Sequence, residues 1–143
     1  GQELLKHLRW LLIVYMNSEQ TAIFRYYDPI ISHYFFTSLN QQEIANWLGP
    51  INRMEWYSNT WRNRVHETDK WHFIENSQAS NWQQTSLKYQ TRPVLQKNHS
   101  LALEDMQQEK FAYLWQQNPQ RNLANIDIDK AIYWVKQGIN IGL

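Results

Sequence analysis

Apolar and polar positions change rhythm several times along this chain. Leu4, Leu5 and Leu8 recur at helical spacing between Glu3 and Arg9, which reads as the end of a helix. From Trp10 to Met16 the run is continuously apolar with a β-branched centre at Ile13-Val14, the pattern of a strand buried on both faces. After a turn over residues 17–20, the stretch from Thr21 to Tyr27 alternates: Ala22, Phe24 and Tyr26 fall on one side, Ile23, Arg25 and Tyr27 on the other. The two runs predict a β-hairpin.

Asp28-Pro29 is a helix start, because Asp accepts from free N–H groups and Pro suits the first helical position. That helix is expected over Ile30–Leu39. Asn40 followed by Glu43 predicts a capping box and a second helix ending at Leu48, with Gly49-Pro50 as its stop. Residues 51–75 place Trp56, Trp61 and Trp71 among β-formers and predict two or three strands. Residues 76–84 read as an amide-rich loop, and 86–96 as a short strand that Pro93 confines to an edge. Glu104–Gln117 reads as an amphipathic helix stopped by Asn118-Pro119. Asp127 caps another, with Ile128, Ala131, Ile132 and Val135 on one face and Gly138 as its stop. The expected fold class is therefore α+β: a β-hairpin and Trp-rich strands packed with about four to five helices. Residues 1–143 form a single domain or fragment, divided into an α/β segment (1–56), a Trp-rich β and loop region (57–100) and a helical C-terminal region (101–143).

Composition sharpens this picture. The 143 residues suit one core large enough to need no staple, and the absence of cysteine removes disulfides, thiol catalysis and Cys-based zinc sites together. Fourteen Lys+Arg against thirteen Asp+Glu leave a net charge of +1, which disfavours nucleic acid as a partner because phosphate contact needs a basic excess. The polarity, a mean hydropathy of −0.69, comes from amides: 15 Gln and 13 Asn are twice as numerous as the basic residues. Eight Trp, eight Tyr and five Phe accompany them, and aromatics with amides suit a surface that binds another protein. The Trp10–Met16 run is far short of the ~20 residues a membrane helix needs, and no signal peptide precedes it; no membrane partner is expected. Gly1 in place of an initiator Met reads as a processed product or a piece of a longer chain.

Catalytic chemistry finds little to build on. His66, Glu67, Asp69 and His72 lie close enough to hold a metal across a turn, but they read better as surface groups of a charged turn, so no metal and no cofactor are expected. No Ser has a flanking Gly, and four glycines provide no phosphate loop or dinucleotide fingerprint. Asp28, Glu55, Glu67 and Asp69 have ordinary readings as cap, strand surface and turn, and the expectation is a protein that is not an enzyme. Arg25 within an aromatic strand is expected to pair with Asp28 at the strand-to-helix corner. The strongest binding candidate is the stretch carrying Trp56, Tyr57, Trp61, Arg62, Arg64, Trp71 and Trp82. Aromatics with Arg resemble an interface hot spot, and the same rings would stack on sugars or single-stranded bases. That leaves an aromatic-rich carbohydrate- or nucleic-acid-binding module as the alternative reading.

The first fifty residues carry a more specific signal. His7-Leu8-Arg9, the apolar run, Phe24-Arg25-Tyr26-Tyr27-Asp28-Pro29 and Leu48-Gly49-Pro50 resemble, in order and spacing, the adaptor-chaperone family of bacterial type VI secretion systems, over roughly Leu4 to Trp56. The resemblance implies a non-enzymatic, cytoplasmic adaptor that binds a toxic secreted effector protein and helps load it onto the spike (VgrG-type) protein. It further implies that His7, Arg9, Phe24, Arg25, Tyr27, Asp28, Pro29, Gly49 and Pro50 are the family signature and hold the fold. The Trp-rich region and the final helices would then recognise the effector, with little loss of binding in salt because the chain is nearly neutral. Family domains usually carry a further α/β portion before the His-Leu-Arg segment. Without it the Trp10–Met16 strand would expose an edge and invite a homodimer of the fragment.

Overall fold

The computed structural model describes residues 1–16, 19–82, 88–118 and 126–138. Five α-helices and two separate two-stranded antiparallel sheets make up the described chain, so the fold is α+β as expected. Helix α1 (Gln2–Leu11) runs through Trp10 and Leu11, which the sequence had suggested for a strand. Nothing breaks the helix there, and its buried side is set by His7 and Leu11, one turn apart, while Leu4 and Leu5 stay exposed. Extended structure begins only at the β-branched pair. Strand β1 (Ile13–Tyr15) pairs with β2 (Thr21–Ile23) through Ile13↔Ile23, Val14↔Ala22 and Tyr15↔Thr21. The hairpin stands, but it is shorter than the alternation predicted, and only Val14 of β1 is fully buried. Part of the expected turn, residues 17–18, lies outside the described residues.

The other side of β1 is not bare. Tyr15 forms a single parallel bridge to Val94, with the Tyr15 N–H donating to the Pro93 carbonyl (2.8 Å) and the Leu95 N–H to the Tyr15 carbonyl (2.9 Å). Residues 93–95 thus pair with Tyr15 on the edge that was expected to be open, through one bridge rather than a strand.

Asp28 caps helix α2 (Pro29–Thr37) by accepting from the Ile30 N–H at 3.0 Å, and Pro29 occupies the first turn. The Arg25 carbonyl accepts from the Asp28 N–H, whereas the Arg25 side chain is exposed and makes no ion pair among the described residues. The corner is therefore fixed by backbone and cap, not by the expected Arg25–Asp28 pair. Helix α2 is apolar almost all round, and Phe35 and Phe36 sit at the centre of the main core with Leu11, Val14, Phe24, Trp47, Leu48 and Trp56.

Helix α3 (Gln41–Leu48) begins with the expected capping box between Asn40 and Glu43. It stops at Gly49, whose φ of +54° favours glycine and whose Cβ, if present, would lie 2.6 Å from the His7 ring. His7 is fully buried, with Nε2 at 2.7 Å from the Trp47 carbonyl. Two motif residues from opposite ends of the N-terminal segment thus pack on each other.

Strands β3 (Arg53–Ser58) and β4 (Lys70–Glu75) form the second hairpin; Trp61 and Arg62 lie in the loop between them rather than in a third strand. Helix α4 (Lys97–Gln117) starts seven residues earlier than the acidic residues had suggested. Its capping box is an unusual one of Gln96 with His99, and His99 also joins Glu43 through a short hydrogen bond that ties the starts of α3 and α4 together. Burial, which raises the Glu43 pKa, is outweighed by the Asn40 amide, His99 and Asn98, so its carboxyl is held below its usual range. Helix α4 packs on α2 and on α5 (Ile128–Lys136), and a smaller core of Ala112, Trp115, Ile128, Ala131 and Ile132 fills the α4–α5 seam.

Candidate interaction surface

The β3–β4 hairpin has two unlike faces, set by strand alternation. Met54, Trp56, Ser58, His72 and Ile74 turn inward toward α2. Trp56, a candidate contact residue by sequence, is 4% exposed, and its Nε1 donates to His33 Nδ1 at 3.0 Å. It is a core residue, which corrects that expectation. The His33 and His72 rings lie 4.3 Å apart in this layer. Burial, then His72 and then Arg64 push the His33 pKa from 6.5 down to about 4.

Arg53, Glu55 and Tyr57 of β3 and Trp71, Phe73 and Glu75 of β4 occupy the outer face. Trp71 is 70%, Phe73 55% and Tyr57 49% exposed. Tyr57 and Trp71 are cross-strand partners with ring centroids 5.4 Å apart, and the Arg53 guanidinium lies 3.8 Å above the Phe73 ring. Arg53 also bridges Glu55 (2.7 Å) and Glu75 (2.6 Å), so one end of the aromatic face has a charged rim. Phe73 was missed by the sequence reading. The alternation Trp71–Phe73–Glu75 contained the signal, once β4 was in register with β3.

Tyr57 also opens onto a cleft of about 520 Å³ between the start of α2, the loop after β3 and the middle of α4. Arg25, Asp28 and Pro29 line one side, Trp61, Arg64 and Asp69 another, and Met106 and Lys110 a third. The loop is pinned from below. The Tyr34 hydroxyl accepts from the Trp61 N–H (2.8 Å) and donates to the buried Glu109 carboxylate (2.7 Å), which also accepts from the Arg62 N–H (3.3 Å). Burial and then the Glu109 bond raise the Tyr34 pKa well above its ordinary value, so this hydroxyl stays protonated. Arg64 stacks over Trp61 at 4.7 Å and pairs with Asp69 at 3.2 Å, and Arg62 pairs with Asp129 of α5 at 2.9 Å. Trp61 Nε1 and Arg64 Nε are buried donors without a hydrogen-bond acceptor among the described residues.

The site residues expected from sequence therefore separate. Tyr57, Trp61, Arg64 and Trp71 converge on the outer face and its cleft, joined by Arg25, Asp28 and Pro29 of the signature. Trp82 belongs elsewhere, packed edge-on against His7 (5.7 Å) and Tyr89. Within the signature, His7, Phe24 and Gly49 are buried and Asp28 is a cap, while Arg9, Arg25, Tyr27 and Pro29 are exposed and Pro50 is half-buried. Among the described residues no group of three or more His, Asp and Glu is arranged to hold a metal, and no described helix is long and apolar enough to cross a membrane. Residues 1–46 match a family model. Its description is "Domain of unknown function (DUF4123)". That family is associated with type VI secretion effector adaptors, which is consistent with the resemblance carried by the His7–Arg9, Phe24–Pro29 and Leu48–Pro50 motifs. The match covers the N-terminal third of the chain and ends before Gly49-Pro50, short of the extent expected from the motifs. No curated protein and no solved structure matches the chain.

Proposed function

We propose that this protein is a non-catalytic adaptor-chaperone of type VI secretion that binds a secreted effector and presents it to a VgrG-type spike protein in the cytoplasm. The carrying observation is the outer β3–β4 face, where three large aromatic rings stand exposed side by side and lead into a cleft lined by aromatic side chains and charges of both signs. Grouped exposed apolar side chains of this kind mark interaction sites, and Trp, Tyr and Arg are the residue types that concentrate binding energy. The family match of the N-terminal third supports the same role. Binding is stoichiometric: an apolar stretch of effector is covered by Tyr57, Trp71 and Phe73, while Arg25 and Lys110 offer charged groups in the cleft.

The test is an affinity pull-down from a lysate of the source organism with the unmodified chain and with a Trp71→Ser/Phe73→Ser variant. One toxin-like polypeptide recovered by the first and lost by the second is the expected result. Equal recovery by both removes the outer face from the proposal. Binding to a glycan array or an oligonucleotide instead of any polypeptide would favour the carbohydrate- or nucleic-acid-binding alternative.

A further inference from the structure

A net charge of +1 conceals an uneven distribution. Residues 4–18 and 76–103 contain no Asp or Glu, yet Lys6, Arg9, Lys88, Arg92 and Lys97 all fall in these two stretches. The fold brings the two together. Trp10 Nε1 of α1 donates to the Thr91 carbonyl at 2.6 Å, His7 Nδ1 lies 3.1 Å from the Tyr89 hydroxyl, and Lys6 Nζ stands 5.4 Å above the Tyr89 ring. Between α1 and residues 89–92 lies a groove of about 320 Å³, walled by Lys6, Arg9 and Arg92 with the Trp10 and Tyr89 rings, and none of the described residues lining it is a carboxylate. None of these three cations makes an ion pair among the described residues. Everywhere else in the described chain the arginines other than Arg25 have carboxylate partners: Arg53, Arg62 and Arg64 each hold one.

We propose that this groove docks an acidic segment of a partner polypeptide. Three like charges gathered without an ion-pair partner among the described residues repel one another, with Glu3 of α1 the nearby acid that acts on Tyr89, and a bound carboxylate relieves that repulsion while gaining charge-assisted hydrogen bonds. Arg9 and Arg92 offer planar forks that match carboxylates, and Lys6 adds a compact point charge. The Trp10 and Tyr89 rings, held by their bonds to Thr91 and His7, give apolar side chains between the acids a rigid floor. A short acidic peptide fits this groove better than a nucleic acid, which draws its affinity from many phosphate contacts along an extended basic track. The attachment is electrostatic, so it weakens as the Debye length falls to about 8 Å at physiological salt. The groove shares no residue with the β3–β4 face or its cleft, and the proposal does not rest on the function assigned to that face.

Fluorescence anisotropy on the full chain tests it with three labelled probes: a peptide alternating Glu and Leu, its Gln-for-Glu counterpart, and an oligothymidylate. The expected result is binding of the acidic peptide alone, with affinity falling about tenfold in Arg9→Glu/Arg92→Glu. Circular dichroism and melting of that variant should be unchanged, since both side chains are exposed, and Arg9→Lys/Arg92→Lys should keep most of the affinity. Trp71→Ser/Phe73→Ser should bind the acidic peptide at full strength. No binding, equal binding of the Gln peptide, tighter binding of the oligothymidylate, full affinity in the Arg9→Glu/Arg92→Glu variant, or loss in the Trp71→Ser/Phe73→Ser variant would each overturn the proposal.

Discussion

Trp56 and Trp71 stand on paired strands of one hairpin and meet opposite surroundings. Trp56 is locked between α2 and β4, hydrogen-bonded to His33 and stacked near Phe36 and His72. Trp71, one pair along the ladder, faces outward beside Tyr57. Both are tryptophans among β-formers, so residue type does not distinguish them. What separates them is the side of the sheet that α2 covers. The inner face is where the fold draws stability, and the outer face leaves its apolar area exposed.

Three measurements break or sharpen that contrast. The largest effect is expected for Trp56→Ala, which should destabilise the fold by about 3–5 kcal/mol in urea unfolding, because it empties a core position and strands the His33 acceptor. A loss no greater than that of an exposed residue would show that the inner face is not the core of this region.

The next effect comes from pH. His33 is held neutral by burial and by its neighbours His72 and Arg64, with its pKa lowered from 6.5 to about 4. The unfolded chain therefore takes up a proton before the folded one does. Stability should be complete above about pH 6.5, fall as the pH drops towards 4, and level off for this group below that. The Glu43 carboxyl, lowered from 4.5, contributes its own loss only as the pH falls below its unfolded value. Urea midpoints measured from pH 7 to 5 should decline in the unmodified chain and flatten in His33→Gln. An equally steep decline in the variant would assign the loss to another group.

The smallest effect is expected on the outer face. Trp71→Ser/Phe73→Ser should cost no more than about 1 kcal/mol per site, from the lost Tyr57 and Arg53 contacts, while removing effector capture. If instead this variant melts as Trp56→Ala does, the two faces are not different in kind, and the exposed rings are part of the fold's own support.

The N-terminal half was the more legible in sequence, and for a physical reason. Its signals are local: Asp28-Pro29 and Asn40…Glu43 act within one helical turn, and Gly49 answers a backbone angle at its own position. Trp10–Met16 misled because a continuous apolar run suits a buried helix end as well as a strand, and the His7–Leu11 pair decides for the helix through its burial. The start of α4 was missed because Gln96 and His99 are uncommon capping partners, and His99 is kept there by Glu43, 56 positions away. For the candidate surface, Tyr57, Trp61, Arg64 and Trp71 were visible as a composition of binding residues. Their separation from Trp56 and Trp82, and their meeting with Arg25 and Asp28, were not, because each depends on contacts between distant segments.

The chain by itself determined the class of structure, the helix starts with conventional caps, the hairpin after α1 and the family likeness of its first third. All of these are written in residues a few positions apart. Only the tertiary structure decided which aromatic rings are core and which are surface, and that two acid-free stretches some eighty residues apart make one cationic groove. A strand pattern shows that its two faces differ but not which one a helix will cover. Net charge is likewise a sum over the chain, and it holds no record of where folding places each charge.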